Sequence, residues 1–233
     1  NKPDYTHHYN DFSVKKSLDF LKTNYKILDK CQKKYGVPKE VITSVIWIET
    51  KHGNYLGKHH IPSVFLSTAM ANQEVNILLN KKNLHESYNG SKNKLPALEK
   101  KIEKRASKKS KWAINEIKNL GKIYKAGKVN ILNLNGSWAG AFGLSQFLPS
   151  SYIRWAVDGN GDGIIDLFNT EDAIYSVANY LKVNGWGDSK EQQEKAVYHY
   201  NNSKAYVNAV LTLAEKVKKR FSESEKAKQQ NPE

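Results

Sequence analysis

The sequence predicts a mainly α-helical globular protein, and three observations support this. Apolar residues recur every three or four positions along most of the chain, as at Leu18, Leu21, Tyr25 and Leu28. The alternation typical of strands is sparse. Hydrophobic residues make up 39% of the 233 residues, which is enough to close a core and excludes a disordered chain. The single Cys31 excludes an internal disulfide and a multi-cysteine zinc site.

The first half of the chain contains helices interrupted by one loop-rich stretch. A helix is expected to begin at Pro38, which suits a first helical position, and to end before Gly53. An apolar segment over 64–79 follows the loop. A Lys-rich segment over 81–128 comes next, and its apolar spacing near the C-terminal end indicates a further helix.

The second half returns to helices after a stretch rich in small residues and a stretch rich in Asp and Gly. Three helices are predicted, over 172–183, 189–200 and 204–221. The second of these opens with a capping box formed by Ser189 and Gln192. The charged, apolar-poor tail over 222–233 is expected to be disordered, so that 1–221 forms one domain.

Positive charge is concentrated in one part of the chain. The whole sequence has 37 Lys and Arg against 23 Asp and Glu, a formal net charge of +14, and the segment 81–128 has 15 against 4, or +11. Such a segment suits an anionic polymer, whether nucleic acid, acidic cell-wall glycan or a membrane surface, although an ordinary solvated surface explains it equally well. Aromatic residues are sparse there, which argues against base stacking, so no nucleic acid partner is expected.

Glu49 occupies an unusual place in the helix that begins at Pro38. Counting by four from Val41 gives Val45 and then Glu49, so the carboxyl group lies on an apolar face. Burial raises the pKa of a carboxyl group and lets it hold a proton near neutral pH, as a general acid must. The alternative is a glutamate at a helix end that reaches solvent or pairs with Lys51.

Small residues and aromatics alternate over Gly136–Tyr152. Glycines permit close approach of the backbone to a ligand, and Trp138 and Phe142 are able to stack on sugar rings. Gln146 is a candidate hydrogen-bonding side chain in a cleft. A tightly packed helix crossing is the alternative interpretation of this segment.

The loop that begins at Asp158 resembles the calcium loop of an EF-hand. Side-chain oxygens at its first, third and fifth positions, glycine at the sixth and a backbone carbonyl at the seventh match that pattern. Asn169 stands at the twelfth position, where the pattern has glutamate, so Glu171 or Asp172 would have to close a lengthened loop. A turn without metal is the alternative.

Taken together, these motifs resemble those of the B-type lytic murein transglycosylases, glycoside hydrolase family 103. The resemblance covers about Gly36–Tyr206 and is carried by motifs that occur in the same order: Gly36-Val-Pro38, Ile48-Glu-Thr-Lys-His-Gly53, Gly136–Tyr152, the aspartate-rich loop, Ser176-Val-Ala-Asn-Tyr180 and Tyr200-Asn-Asn-Ser203. It implies a lysozyme-like helical fold with an inserted EF-hand-like calcium loop over 158–172. It also implies that peptidoglycan glycan strands are the substrate.

The resemblance further implies a reaction in which one carboxyl group acts as acid and then as base. Glu49 would protonate the glycosidic oxygen between N-acetylmuramic acid and N-acetylglucosamine, and would then take the proton of the muramic 6-hydroxyl as a 1,6-anhydro ring forms. The substrate's acetamido group would assist, in place of the second carboxylate of most glycosidases.

Site residues follow from the same resemblance. The expected substrate-binding residues are Ser137, Gln146, Tyr180, Tyr200, Asn201 and Tyr206. A structural Ca²⁺ ion would be held by Asp158, Asn160, Asp162, Ile164 and Asp172. No organic cofactor is expected.

Two other functions remain open at this point. A goose-type lysozyme would hydrolyse the same bond with the help of a second carboxylate, and an inactive peptidoglycan-binding module would keep the cleft but tolerate the loss of Glu49. A monomer is expected, in the periplasm or secreted, although no export signal is visible in the first residues.

Overall fold

The computed structural model describes residues 4–127 and 129–230, and it is mainly α-helical. Four short 3-10 helices lie at Thr6–Tyr9, Met70–Asn72, Lys92–Lys94 and Ile131–Asn133. The α-helices of the described residues are α1 (Asp11–Thr23), α2 (Tyr25–Tyr35), α3 (Lys39–Thr50), α4 (Ile61–Ala69), α5 (Glu74–Ser87), α6 (Leu95–Lys125), α7 (Pro149–Trp155), α8 (Thr170–Val183), α9 (Lys190–Tyr200) and α10 (Lys204–Gln230). No helix in these residues is long and apolar enough to cross a membrane.

The chain divides into two compact units. The first contains the described residues of Asn1–Leu56, Gly143–Gln146 and Arg154–Glu233, and the second contains Gly57–Phe142 and Phe147–Ile153. The first unit runs past residue 221, and the single domain expected over 1–221 stays a prediction. The division could not be predicted, because each unit is assembled from segments that are distant in sequence.

Helix α3 is the centre of the first unit. It contacts α1, α2, α8 and α10, and ten of its twelve residues are buried. A helix that is apolar on all sides is stable only when other helices surround it. Each buried aliphatic side chain on it, such as Ile42 or Ile46, contributes roughly 1.5–3 kcal/mol to folding. The unit is therefore organised around the helix that carries Glu49.

The second unit is built on the long helix α6. Helices α4 and α5 both pack along it, and the side chain of Ser110 on α6 donates a hydrogen bond to the carbonyl of Ala69 at 2.7 Å. A two-stranded antiparallel ribbon joins β1 (His59–His60) to β2 (Asn135–Gly136), with His59 opposite Gly136. Only these two short strands occur in the described residues, in agreement with the sparse strand signal.

Several expectations about helix ends need correction. The apolar pattern from Leu18 to Leu28 belongs to two helices, because Asn24 separates α1 from α2 and donates its backbone N–H to the carbonyls of Phe20 and Lys22. Pro38 is the residue before α3 rather than its first helical residue. The capping box of Ser189 and Gln192 is present as predicted.

The tail expected to be disordered is helical over most of its length. Helix α10 continues through 222–230, and residues 231–233 lie outside the described residues, as does Lys128 at the end of the Lys-rich segment. The tail is rich in Lys, Glu, Ala and Gln, which favour helix even where they bury little surface. Low hydrophobicity was therefore a poor guide to disorder here.

Candidate active site

Glu49 lies in the last turn of α3 and is half-buried, unlike its buried neighbours on the helix. The end of α3 is held in place by Thr50, whose hydroxyl donates to the carbonyls of Leu144 at 3.1 Å and Ile46 at 3.3 Å. Beyond Thr50 the chain turns through Lys51 and His52, both with positive φ. Glu49 is thus set on a rigid helix and is less buried than the helix residues around it.

The electrostatic surroundings of Glu49 favour a protonated carboxyl group near neutral pH. Burial raises the pKa of Glu49 to about 7, and a hydrogen bond from the Tyr206 hydroxyl, at 2.6 Å from Oε1, opposes this rise. No charged side chain of the described residues is among the causes of the shift. The pKa value is what a general acid needs at neutral pH.

Lys51 does not pair with Glu49, contrary to one alternative from the sequence. Its ammonium group lies 2.9 Å from Nδ1 of His8 and 4.5 Å from the centre of the Trp47 ring. Burial, together with the Lys51 charge, lowers the pKa of His8 to about 4, so the imidazole is neutral and its Nδ1 accepts a hydrogen bond from Lys51. This arrangement leaves Glu49 without a neutralising cation among residues 4–127 and 129–230.

A layer of tyrosines encloses Glu49. The Tyr206 ring is 1% exposed and runs nearly parallel to that of Tyr200, with 6.4 Å between centres. The Tyr200 hydroxyl donates to the carbonyl of Ser145 at 2.6 Å. Burial and the Glu49 charge raise the pKa of both tyrosines well above the ordinary value, so both remain neutral donors.

Tyr180 supports this layer from behind. Its ring lies 4.7 Å from that of Tyr200 and 4.5 Å from that of Trp155, and its hydroxyl donates to the carbonyl of His199 at 2.7 Å. Only 7% of Tyr180 is exposed. The described contacts therefore hold Tyr200 in place, and Tyr180 itself offers little surface to a ligand.

Tyr5 joins the site although sequence reasoning missed it. Its side chain hydrogen-bonds with that of Asn201, and its ring packs edge-on against Tyr206 at 5.8 Å. Burial and the charge of Glu49 raise the pKa of Tyr5, which places its hydroxyl near the carboxyl group. No periodicity relates Tyr5 to α3, so no sequence signal pointed to it.

Gln146 and Ser137 are placed differently from each other. Gln146 lies in the first unit, has a positive φ of 49° and donates its side-chain amide to the carbonyls of Gly143 and Leu56. A positive φ in a residue other than glycine is typical of functional sites. Ser137 lies in the second unit, where its hydroxyl accepts from the N–H of Ala141 at 3.1 Å and closes a turn. Its expected position beside Glu49 stays a prediction.

The aspartate-rich loop of the first unit is organised by two carboxylates. Asp158 accepts backbone N–H groups of Gly161 and Gly163, at 2.6 and 2.7 Å. Asp172 is 1% exposed and accepts the N–H of Gly159 at 2.8 Å and that of Asp166 at 2.7 Å. Both carboxylates therefore point into the loop.

Asn169, at the position that departs from the EF-hand pattern, is the N-cap of α8. Its side chain accepts from the N–H groups of Glu171 and Asp172. It therefore orients the first turn of the helix and brings Asp172 back to the loop. Within 4–127 and 129–230, no three His, Cys, Asp or Glu side chains are grouped so as to hold a metal.

Comparison with known proteins identifies the family of the chain. Residues 3–195 match the model of the transglycosylase SLT domain family. Over 159 residues, 68% of this chain, the sequence is 33% identical to the membrane-bound lytic murein transglycosylase B of Escherichia coli strain K12. The matched region covers 35% of that relative, so the chain spans about a third of its length.

Solved structures show the same fold. The lytic transglycosylase Slt35 of E. coli, in complex with calcium, matches with a TM-score of 0.73 at 23% identity, over 94% of this chain and 78% of the other. SltB3 of Pseudomonas aeruginosa, in complex with NAG-NAM-pentapeptide, matches with a TM-score of 0.70 at 20% identity, over 92% and 66%. The fold is thus the lysozyme-like helical fold of these proteins, and the chain belongs to the transglycosylase SLT domain family, among the B-type lytic murein transglycosylases.

Proposed function

We propose that the chain is a lytic transglycosylase that cleaves the glycan strands of peptidoglycan between N-acetylmuramic acid and N-acetylglucosamine. The observation that carries the proposal is Glu49, a half-buried residue enclosed by the layer of neutral tyrosines. Burial raises the pKa of its carboxyl group to about 7. At pH 7 such a group is about half protonated, so it serves equally as proton donor and acceptor. Family membership supplies the substrate class.

In the first step Glu49 donates its proton to the glycosidic oxygen, and the bond from that oxygen to the anomeric carbon of muramic acid breaks. The acetamido group of the same sugar stabilises the positive charge that develops on this carbon. Because Oε1 accepts from Tyr206, the transferable proton is carried on Oε2. The leaving sugar departs with its hydroxyl group restored.

In the second step the 6-hydroxyl of muramic acid attacks the anomeric carbon and forms the 1,6-anhydro ring. Its proton passes to the Glu49 carboxylate, which restores the acid, and no water is consumed. In the part of the chain that the structure describes, no charged group contributes to the pKa shift of Glu49, which supports a single acid and base. Hydrogen-bonding groups and aromatic surface for the sugar would come from Tyr200, Tyr206 and Asn201. Gln146, which has a positive φ, would add its side-chain amide as a hydrogen-bonding group.

Mass spectrometry of the muropeptides released from purified peptidoglycan tests this proposal. The wild type is expected to release anhydro-muramic ends, and the Glu49→Gln variant, of nearly equal size, is expected to release none. Reducing ends instead would indicate a hydrolase with a second carboxylate. Equal release by the two proteins would remove Glu49 from the mechanism, and no release by either would leave a binding module.

A structural calcium ion is part of the proposal. The donors available in the loop are all oxygens, which Ca²⁺ prefers, and the carboxylates already point into the loop. The set would be the side chains of Asp158, Asn160, Asp162 and Asp172 with the carbonyl of Ile164. Bound Ca²⁺ would neutralise these carboxylates and fix the loop against the start of α8.

Since peptidoglycan lies in the cell envelope, the protein would act there, in the periplasm or after secretion.

A further inference from the structure

Helix α6 of the second unit separates its charges by face. It has three acidic side chains, and all three are engaged inside the unit. Glu103 lies 2.6 Å from the ammonium group of Lys81 on α5, and Glu99 lies 2.6 Å from His85 of the same helix. Glu116 is 2% exposed and accepts the N–H of Ser150 at 2.8 Å. The exposed surface of α6 therefore presents basic residues whose charge none of these three carboxylates neutralises, Lys81 and His85 of α5 and Ser150 being their partners.

Seven exposed lysines follow one side of α6, and we refer to them as the lysine row: Lys100, Lys104, Lys108, Lys111, Lys118, Lys122 and Lys125. At 100° per residue they fall within an arc of about 100°, and at 1.5 Å per residue they extend over about 37 Å. None of the seven has a carboxylate of the described residues within 4 Å. Like charges three or four residues apart destabilise a helix, so the row is unfavourable unless anions oppose it.

The neighbours of the lysine row do not suit a lipid or nucleic acid partner. Membrane-surface helices have a continuous apolar stripe beside their cations. On α6 most apolar side chains are buried inside the unit, and the exposed ones, Trp112, Ile114 and Tyr124, lie on different sides of the helix rather than in a stripe. Single-stranded nucleic acid is usually held by exposed aromatic platforms. The one tryptophan of α6, Trp112, is 38% exposed but packs edge-on against Phe65 at 5.5 Å, and the other exposed aromatic residue of the helix, Tyr124, lies on a different side.

We propose that the lysine row is a docking surface for the free carboxylates of peptidoglycan. This rests on the proposed function, because the stem peptides of that polymer present carboxylates repeatedly along each glycan strand. Lysine ammonium groups are compact point charges on flexible stems, and they suit many weak contacts with an irregular polyanion better than one specific contact. The row would hold the protein on the polymer and raise its rate of encounter with glycan.

Cosedimentation with purified insoluble peptidoglycan tests this inference. All proteins would carry Glu49→Gln, so that the polymer stays intact. The test variant replaces five lysines of the row with glutamine, at Lys104, Lys108, Lys111, Lys118 and Lys122. The control variant replaces five exposed lysines of the first unit, at Lys15, Lys22, Lys26, Lys30 and Lys195, and so removes the same charge. Glutamine favours helix as lysine does, and circular dichroism would verify that both variants fold.

At about 50 mM salt, the test variant is expected to bind the polymer at least about tenfold more weakly than the parent, and the control variant within about twofold. Raising the salt to about 300 mM should remove most of the difference. Amidation of the carboxylates of the polymer should likewise remove most of the difference in binding between the variants. Equal weakening of both variants, or of neither, would overturn the inference.

Vesicles of equal parts phosphatidylglycerol and phosphatidylcholine separate lipid from glycan. If the row variant lost binding to these vesicles but not to peptidoglycan, a membrane surface would replace the proposed partner. The binding readout does not depend on catalysis, and the anhydro-muropeptide assay on the wild type decides the proposed function separately. The two proposals can thus fail independently.

Discussion

At the scale of single residues, the site balances two influences on Glu49. Burial favours the neutral acid, and the Tyr206 hydroxyl favours the carboxylate by donating to it. A group that must give a proton and then take one back needs neither form to be strongly preferred. Burial and this hydrogen bond together place the pKa of Glu49 near 7, whereas burial alone would place it higher.

Replacement of Tyr206 by phenylalanine tests this balance. The ring and its packing remain, but the hydroxyl that stabilises the carboxylate is lost, so the pKa of Glu49 rises. Because the first step of the proposed mechanism needs the protonated acid, activity is expected to fall as pH rises through this pKa. The alkaline limb of the rate profile is expected to move up by about one to two pH units, since a hydrogen bond to a charged group is worth about 1.5–3 kcal/mol and one pKa unit is about 1.4 kcal/mol.

The measurement is the initial rate of muropeptide release between about pH 5 and pH 9. Tyr200→Phe is the matched control, because that hydroxyl donates to the carbonyl of Ser145 rather than to Glu49. Its alkaline limb should stay where the wild type has it. A Tyr206→Phe limb at the wild-type pH would show that the hydrogen bond does not set the pKa of Glu49.

Residues of the site differ in how far the sequence could predict them. Helical spacing predicts Glu49, because it relates this residue to neighbours four residues away. The family resemblance predicts Tyr206, which follows the motif Tyr200-Asn-Asn-Ser203. Tyr5 approaches Glu49 only through the fold, and Tyr180 turned out to support Tyr200 behind the site. Local patterns identify a reactive group, whereas its surroundings come from residues that are distant in sequence.

At the scale of elements, the aspartate-rich loop and α8 form one structure. Asn169 caps α8, and the first turn of that helix returns Asp172 to accept two backbone N–H groups of the loop. The sequence predicted the loop and the candidate residues that close it. It could not show that the departure at Asn169 is a helix cap, because a cap is defined by backbone geometry.

Calcium is expected to stabilise this element. Thermal unfolding followed by circular dichroism should give a higher Tm in CaCl₂ than in EDTA, because an ion that binds only the folded loop adds its binding free energy to stability. Asp162→Asn removes one charge from the loop and should reduce the increase in Tm. Lys190→Gln on α9, far along the chain from the loop, should leave the increase unchanged. An equal Tm in CaCl₂ and EDTA for the wild type would argue against a calcium site.

At the scale of the whole molecule, helical content was predictable and the division into two units was not. Most helices could be located from apolar spacing, since that spacing is local. The first unit draws its core from segments that are distant in sequence, as the hydrogen bond between Tyr206 and Glu49, 157 residues apart, illustrates. Such contacts depend on which surfaces meet, and apolar spacing does not specify a partner.

Hydrogen exchange should reveal how unevenly the two units are stabilised. In α3 of the first unit ten of twelve residues are buried, whereas α5 of the second unit has no buried residue and several exposed apolar ones, including Val75, Leu78 and Leu79. Local opening is least costly where few apolar contacts are broken. Amides of α5 are expected to exchange at least about a hundredfold faster than those of α3, corresponding to a difference of about 3 kcal/mol in opening free energy. Mass spectrometry of peptic fragments measures both helices in one experiment. Similar protection of α3 and α5 would mean that α5 opens only with the rest of the chain, and that exposure of its apolar side chains does not weaken it.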